Sequence, residues 1–446
     1  MNNNEPIRDA KVLGTPKMLI LGLQHMFAMF GSTVLVPILT GLSVSTTLLF
    51  AGLATLFMHF VTKKKIPVFL GSSFAFLGGY FATIAAGAEQ GLSQAQSLPY
   101  ACVGVSCAGL LYLVLSGLFK AWGSRKVMRY FPPVVTGPII IAIGMNLAPS
   151  AINSAESNWL VALVAIAVIV AANIWGKGMV KIIPILLGVI VSYLFAAIID
   201  PAEREAIVSS VSAASWFGFP VKAENTVFSL IGNCNGALLL SSIITIVPIA
   251  VATMMEHVGD ISAISATVGQ NFIEDPGLHR TLIGDGIGTS IAALFGAPAN
   301  TTYGENTGVL ALTKVYDPFV VRLAALFAII LSFCPKFAAL ITAMPTATVG
   351  GVSLILYGMI SAVGIRNMVE NKTDFQNTRN VIVAALIIGL AIGISYSASG
   401  SIKLGSVSLS GLAVASLVGL ILNAVLPGGH DEYMPNEINS SSLGKF

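Results

Sequence analysis

The chain has 446 residues, of which 55% are hydrophobic and only 10% are charged. A soluble domain carries about 25% charged residues, so 20 Asp and Glu with 23 Lys and Arg are too few to cover one. Several apolar runs reach the roughly 20 residues with which a helix crosses a bilayer. The composition therefore indicates an integral membrane protein and excludes a soluble enzyme.

Charge and cysteine usage exclude further classes. The net charge is only +3, and no basic stripe carries interleaved aromatic residues, so nucleic acid is not expected as a partner. The four cysteines show no CxxC or Cys/His spacing. We therefore expect no disulfide framework, no metal site and no cofactor.

Apolar runs bounded by Gly, Pro or charged residues predict fourteen transmembrane spans. They lie at 18–40, 45–62, 66–86, 98–119, 130–149, 158–176, 180–199, 228–258, 278–296, 299–316, 319–341, 345–364, 378–396 and 405–427. With the N-terminus in the cytoplasm, 19 of the 23 Lys and Arg residues fall on the cytoplasmic side, as the positive-inside rule requires. Both termini are therefore predicted to be cytoplasmic, with an external loop between the two halves of the chain.

Two predicted spans are interrupted in a similar way. Segments 66–76 and 296–306 each place a proline, Pro67 or Pro298, a few residues before a polar, β-favouring stretch. Lipid cannot satisfy the free N–H and C=O groups of such a stretch, so these groups must pair with each other or face a polar cavity. We expect two short antiparallel strands that meet at the membrane midplane.

One sequence offset relates the two halves of the chain. Pro67 and Pro298 are 231 residues apart, and the same offset relates Phe74 to Glu305 and His25 to Glu256. Seven spans in each half is an odd number, so the second half enters the membrane from the opposite side. The pattern predicts two inverted seven-span repeats with broken helices, which is typical of secondary transporters.

Three acidic residues, Glu256, Asp260 and Glu305, lie in or beside predicted spans, where a charge costs about 3 kcal/mol or more. Glu256 and Glu305 are interpreted as functional. Asp260 either lines the same site, one helical turn from Glu256, or is solvated at the cytoplasmic end of its helix. His25, inside the first span, is either a structural bridge or a proton carrier.

Three other polar residues are interpreted as structural. Asp285 lies between glycines and is expected to form a structural hydrogen bond. His59 and His279 are predicted to be peripheral.

Several segments resemble those of a known transporter family. They are Gln-His-Met-Phe-Ala-Met-Phe-Gly (24–31), Gly-Ser-Ser-Phe-Ala-Phe (71–76), Glu-His-Val-Gly (256–259), Asp-Pro-Gly-Leu-His-Arg (275–280), Asn-Thr-Thr-Tyr-Gly-Glu-Asn (300–306) and Gly-Gly-Val-Ser-Leu (350–354). They are similar to the bacterial uracil permeases of the nucleobase–cation symporter 2 (nucleobase–ascorbate transporter) family. The Tyr-Gly-Glu block favours the uracil branch, because purine-transporting relatives typically lack it.

The resemblance implies an all-α polytopic fold in which spans 1–4 and 8–11 form a core domain and spans 5–7 and 12–14 form a gate domain. It also implies a bacterial cytoplasmic (inner) membrane location and a homodimer. The corresponding divisions are an N-terminal cytoplasmic segment 1–17, core halves 18–119 and 228–341, gate halves 120–199 and 342–427, an external loop 200–227 and a cytoplasmic tail 428–446.

The resemblance also implies substrate contacts between the short strands of spans 3 and 10. By motif matching these are Phe74, Glu256, Tyr303, Gly304 and Glu305, with Tyr357 on the gate side. Uracil permeases often have a histidine four residues after the first acid, where this chain has Asp260. That departure weakens any proton role carried over to this position.

The chemistry of uracil suits these residues. Its flat ring offers two N–H donors and two carbonyl acceptors, so two carboxylates can accept from the N–H groups while backbone N–H groups at a helix start donate to a carbonyl. A site of this kind should reject cytosine, because a buried carboxylate would be left unpaired. A carboxyl group in a low-dielectric cavity favours its protonated form, so Glu256 or Glu305, linked with His25, is the expected proton carrier of a symporter. Asp260 is assigned to proton coupling or to lining the site.

Other functions remain alternatives at this point. A channel would need rings of pore-lining groups, and a membrane enzyme would need a nucleophile–base pair or a metal motif, so both are disfavoured. The main alternative is a purine (xanthine or urate type) or anion carrier on the same fold, with sodium coupling in place of proton coupling. Displacement of uracil by xanthine would favour it.

Overall fold

Helices make up most of the computed structural model, which describes residues 6–123, 126–127, 129–232, 234–404 and 407–427. The first half contains α1 (Thr15–Thr40), α2 (Val44–Val61), β1 (Leu70–Ser72), α3 (Leu77–Ala88), α4 (Gln94–Trp122), α5 (Pro133–Ala155), α6 (Trp159–Ile174), α7 (Met179–Ile182), α8 (Pro184–Ile199) and α9 (Pro201–Ala213). The second half contains α10 (Gly236–Ile246), α11 (Ile249–Val268), α12 (Leu278–Leu294), β2 (Asn300–Thr302), α13 (Gly304–Thr313), α14 (Pro318–Ser332), α15 (Pro335–Thr342), α16 (Thr346–Glu370), α17 (Thr378–Ser395), β3 (Ser401–Leu404), β4 (Val407–Ser410) and α18 (Gly411–Val425).

Within the described residues, seven helices are long and apolar enough to cross a membrane, and the number rises to nine if each of two bent helix pairs is one span. Helices α10 and α11 are counted together in this set, as Gly236–Val268. The shorter apolar helices are α3, α6 and α18. The chain is therefore a mostly helical, multi-pass membrane protein.

The segment predicted as an external loop, 200–227, contains a helix that the sequence analysis did not predict. Helix α9 begins directly after α8 and is bent from it by 116°. The Asp200 side chain accepts hydrogen bonds from the backbone N–H groups of Ala202 and Glu203, and Pro201 occupies the first turn, where it needs no N–H partner. The high polarity of this helix hid it from a search for apolar runs.

The predicted span 228–258 has different bounds in the structure. Helix α10 begins at Gly236, because the Asn235 side chain accepts hydrogen bonds from the backbone N–H groups of Ala237 and Leu238. After a break at Val247–Pro248 the chain continues as α11 to Val268. Glu256 therefore lies near the middle of α11.

Two further predicted spans are also revised. The run 319–341 is two helices, α14 and α15, bent by 90° before Pro335. The run 405–427 is helical only from Gly411, because its first part belongs to the antiparallel hairpin of β3 and β4. The predicted tail 428–446, like residues 1–5 of the predicted N-terminal segment, lies outside the described residues.

The helices pack in two groups. Helices α1–α4 pack with α10, α12 and α14, and the most extensive contacts in this group are those of α4 with α12 and of α2 with α14. Helices α5, α6 and α8 pack with α16 and α17, and α18 packs against α17. Helix α11 contacts both α5 and α18, so it lies where the two groups meet.

Candidate functional site

Strands β1 and β2 pair antiparallel in the interior, with Gly71 opposite Thr301. All six strand residues are buried. Beyond the pairing, the Thr55 hydroxyl accepts from the Leu70 N–H at 2.9 Å, and the Tyr303 N–H donates to the Phe69 carbonyl at 3.1 Å. The two interrupted segments thus satisfy each other's backbone groups, as a membrane interior requires.

His59 helps to hold the approach to β1. Its Nε2 lies 2.8 Å from the Val68 carbonyl oxygen, and its side chain is buried. The prediction that His59 is peripheral is therefore wrong. The residues before β1 run beside α2, so the His59 side chain of this helix points towards them. Sequence spacing alone does not show that the two segments are adjacent.

Tyr303 connects the two strands to α1. Its hydroxyl donates to the Ser72 carbonyl at 2.9 Å and accepts from the Thr33 hydroxyl at 3.3 Å. Glycine is required opposite the ring: a Cβ at Gly71 would lie 2.5 Å from Tyr303 ring carbons and 2.7 Å from Thr33 Oγ1. Gly71 therefore permits the close approach that fixes the Tyr303 ring.

Glu305 and Gly304 begin α13 immediately after β2. Ser32 of α1 donates its hydroxyl proton to Glu305 Oε1 at 2.8 Å, which leaves the carboxylate with further acceptor capacity. Gly304 is exposed, and no atom of a neighbouring residue lies within 4 Å of where its Cβ would stand. No side chain caps the start of α13, and a helix start of this kind with open space beside it suits a ligand carbonyl.

Helix α11 presents Glu256 and Asp260 one turn apart. Thr302 of β2 donates to Asp260 Oδ2 at 2.5 Å, so Asp260 joins α11 to the strand pair. Glu256 is half-buried, and no side chain in the described part of the chain hydrogen-bonds to its carboxylate. The charges of Glu256, Asp260 and Glu305 interact electrostatically. The structure thus brings all three acids to one region.

His25 lies beside this region through Asn306, the residue that follows Glu305. The Asn306 amide donates to the His25 carbonyl at 3.1 Å and lies 3.2 Å from His25 Nδ1. His25 is fully buried. The contact places the histidine of α1 against the first turn of α13.

Phe74 and Tyr357 connect the two helix groups. Their rings form an edge-to-face pair with centroids 5.6 Å apart. Tyr357 belongs to α16, whereas Phe74 follows β1. A cavity of about 650 Å³ is lined by residues along α3, from Phe74 before the helix to Glu89 after it, and by Asn146 of α5. Of the six predicted substrate contacts, Phe74 alone lines this cavity.

One pair of polar residues was not recognised as a unit from the sequence. His257 Nδ1 lies 2.7 Å from Asp285 Oδ2, and neither side chain is exposed. The expectation of a hydrogen bond at Asp285 agrees with this contact, but His257 was not singled out. The available signal was a histidine next to Glu256 in a membrane segment, which is costly to bury without a partner.

The fold and this cluster of intramembrane acids beside paired, broken segments define a polytopic membrane transporter. The chain belongs to the Permease family, which its residues 16–400 match. It is 38% identical to the uracil permease of Bacillus caldolyticus, with 95% of this chain and 96% of that protein covered, and 36% identical to the uracil permease of Escherichia coli (strain K12), with 91% and 90% covered. The family resemblance is confirmed, and the chain is a transporter rather than an enzyme.

Solved structures with the same fold have little sequence identity to this chain. The transmembrane domain of the cyanobacterial bicarbonate transporter BicA superposes with a TM-score of 0.58 at 14% identity, covering 94% of this chain and 98% of that one. The murine anion transporter Slc26a9 in the inward-facing state gives a TM-score of 0.59 at 12% identity, covering 91% and 67%. These similarities establish the fold alone.

Proposed function

We propose that this protein imports uracil by proton symport across the bacterial cytoplasmic membrane. The observation that carries the proposal is the β1–β2 pair, after which Tyr303, Gly304 and Glu305 follow directly, together with the electrostatic interaction between Glu305 and Glu256 of α11. The relatives named uracil permeases, at 36–38% identity over most of the chain, support uracil as the substrate.

In the proposed complex, Glu256 and Glu305 accept hydrogen bonds from the two N–H groups of uracil. The N–H groups at the start of α13 donate to a uracil carbonyl, and the open space at Gly304 lets the ring approach that backbone. Phe74 and Tyr303 contact the ring through their aromatic faces. Tyr357 closes the site from the gate side through its contact with Phe74.

The proposed topology has fourteen spans in two inverted repeats and both termini in the cytoplasm. The spans beyond the long helices would be formed by shorter helices, among them α3 after β1 and α13 after β2. The two packing groups support a division into a core domain (18–119 and 228–341) and a gate domain (120–199 and 342–427). We further propose that gate domains pair in a homodimer.

Proton coupling is assigned to the acid cluster. Glu256 and Glu305 are the proposed proton carriers, and His25 and Asp260 line the site and join it to α13 and β2. Movement of the core against the gate would alternately expose the site to the two sides. In the proposed topology, the cavity that runs from Phe74 to Glu89 opens outward and provides the external approach.

Substrate competition tests this assignment. Purified full-length protein should bind labelled uracil, and unlabelled uracil should displace it. Cytosine and xanthine, at about 100-fold excess, should displace little, because cytosine lacks one N–H donor and xanthine presents a second ring. Displacement by xanthine at lower concentration than by uracil would contradict the assignment and identify a purine carrier.

A further inference from the structure

The His257–Asp285 pair joins the helix that carries Glu256 to its neighbour. His257 belongs to α11 and Asp285 to α12, and the atoms that meet, Nδ1 and Oδ2, are 2.7 Å apart. Tyr112 of α4 covers the pair, with its ring edge-on to the imidazole at a centroid distance of 6.5 Å. The Tyr112 hydroxyl donates to Thr253 Oγ1 at 2.6 Å, so α4 also contacts α11 one turn before His257.

The pair is buried, and one hydrogen bond joins its two side chains whichever of them carries the proton. Both side chains are inaccessible, and Glu256 and Asp260 of α11 are acids whose charges interact with that of Asp285. A further uncompensated negative charge here would be costly. The pair is uncharged overall when it holds one shared proton, either as imidazolium with carboxylate or as imidazole with carboxylic acid. In both forms one hydrogen bond joins Nδ1 to Oδ2.

The geometry connects this bond to the substrate site. Successive residues of a helix point about 100° apart, so His257 and Glu256 project from adjacent faces of α11. Anchoring His257 on α12 fixes the rotation of α11 about its axis, and this rotation sets the direction of the Glu256 side chain. The bond from Thr302 to Asp260 restrains α11 from the strand side. Two restraints on different faces therefore hold Glu256, whose own carboxylate has no protein hydrogen-bond partner among the described residues.

We propose that His257 and Asp285 form a positioning pair that holds Glu256 in the orientation needed to bind the nucleobase. This inference rests on the proposed function and adds two residues that do not touch the substrate. Positioning requires a hydrogen-bonding group at residue 285 but no negative charge. Asparagine at residue 285 should therefore preserve the binding of uracil. Leucine, which is similar in size but has no polar atom, should weaken it.

The test compares Asp285→Leu with Asp285→Asn in the full-length protein. We expect Asp285→Leu to raise the Kd for labelled uracil at least about tenfold, which corresponds to the loss of one buried hydrogen bond. Asp285→Asn should keep the Kd within about threefold of wild type and keep the wild-type pH profile of uptake. Ser290→Ala is the matched control: it removes a buried bond from α12 to the Ser106 carbonyl and should lower thermal stability without changing the Kd.

The outcomes separate this inference from the proposed function. A wild-type protein that does not bind uracil contradicts the function, and the same variants then test the pair with whichever nucleobase wild type binds. Equal Kd values for wild type and Asp285→Leu contradict the positioning role. If Asp285→Leu does not fold, the result for Asp285→Asn decides. Wild-type uracil affinity and a wild-type pH profile in Asp285→Asn support the positioning role. Loss of uracil binding in Asp285→Asn, or binding without gradient-driven accumulation, contradicts that role.

Discussion

Replacement of Glu256 by Gln is expected to weaken uracil binding by about 100-fold, because hydrogen bonds to a charged acceptor are among the strongest in proteins. Glutamine keeps the shape of the side chain but loses the charge. Its NH₂ group is a hydrogen-bond donor, so this group cannot accept a hydrogen bond from a uracil N–H. The Glu256 carboxylate has no hydrogen-bond partner among the described residues, so the substitution breaks no hydrogen bond within that part of the chain. Equilibrium binding of labelled uracil to purified protein measures the effect.

Glu156→Gln is the matched control for this substitution. Glu156 ends α5, is exposed and lies outside the proposed site, so its replacement should change neither Kd nor thermal stability. Wild-type affinity in Glu256→Gln, with Glu156→Gln also unchanged, would remove Glu256 from the binding site.

Replacement of Gly304 by Val is expected to lower uracil affinity at least about tenfold while the protein still folds. The Cβ at this position would meet no neighbouring protein atom within 4 Å, so the protein tolerates the added volume. In the proposed complex the ring of uracil occupies that space, and the side chain would displace it from the N–H groups of α13. Glycine and valine are both weak helix formers, so the helix itself should change little.

Gly308→Val is the control on the same helix. Gly308 lies one turn later in α13, is also exposed and also has no neighbouring atom within 4 Å of a Cβ. It should retain wild-type Kd and a similar unfolding temperature. Equal loss of affinity in both variants would indicate a general effect on α13 rather than occupation of the site.

The sequence was informative where local chemistry decides the backbone. Pro67 and Pro298, each followed by polar and β-branched residues, indicated broken segments, and β1 and β2 lie within them. Intramembrane acids are rare because their burial is costly, so Glu256 and Glu305 stood out before any geometry was known. The motif around Tyr303 led to the family resemblance that the relatives confirm.

Contacts between separate helices were not predictable in the same way. The bonds from Thr302 to Asp260 and from His257 to Asp285 depend on how far α11 is rotated against β2 and α12. When a helix is apolar on nearly every face, its hydrophobic pattern does not define its rotation about its own axis. Helix α9 was missed for the opposite reason, since a polar segment gives no apolar periodicity whether it is helix or loop.

The most direct test of the account is uptake of labelled uracil into proteoliposomes under an imposed gradient. Wild-type protein should accumulate uracil when the outside is more acidic than the inside. Dissipation of the proton gradient should abolish accumulation, and a sodium gradient alone should not restore it. Accumulation driven by sodium and indifferent to the proton gradient would contradict proton symport through the acid cluster.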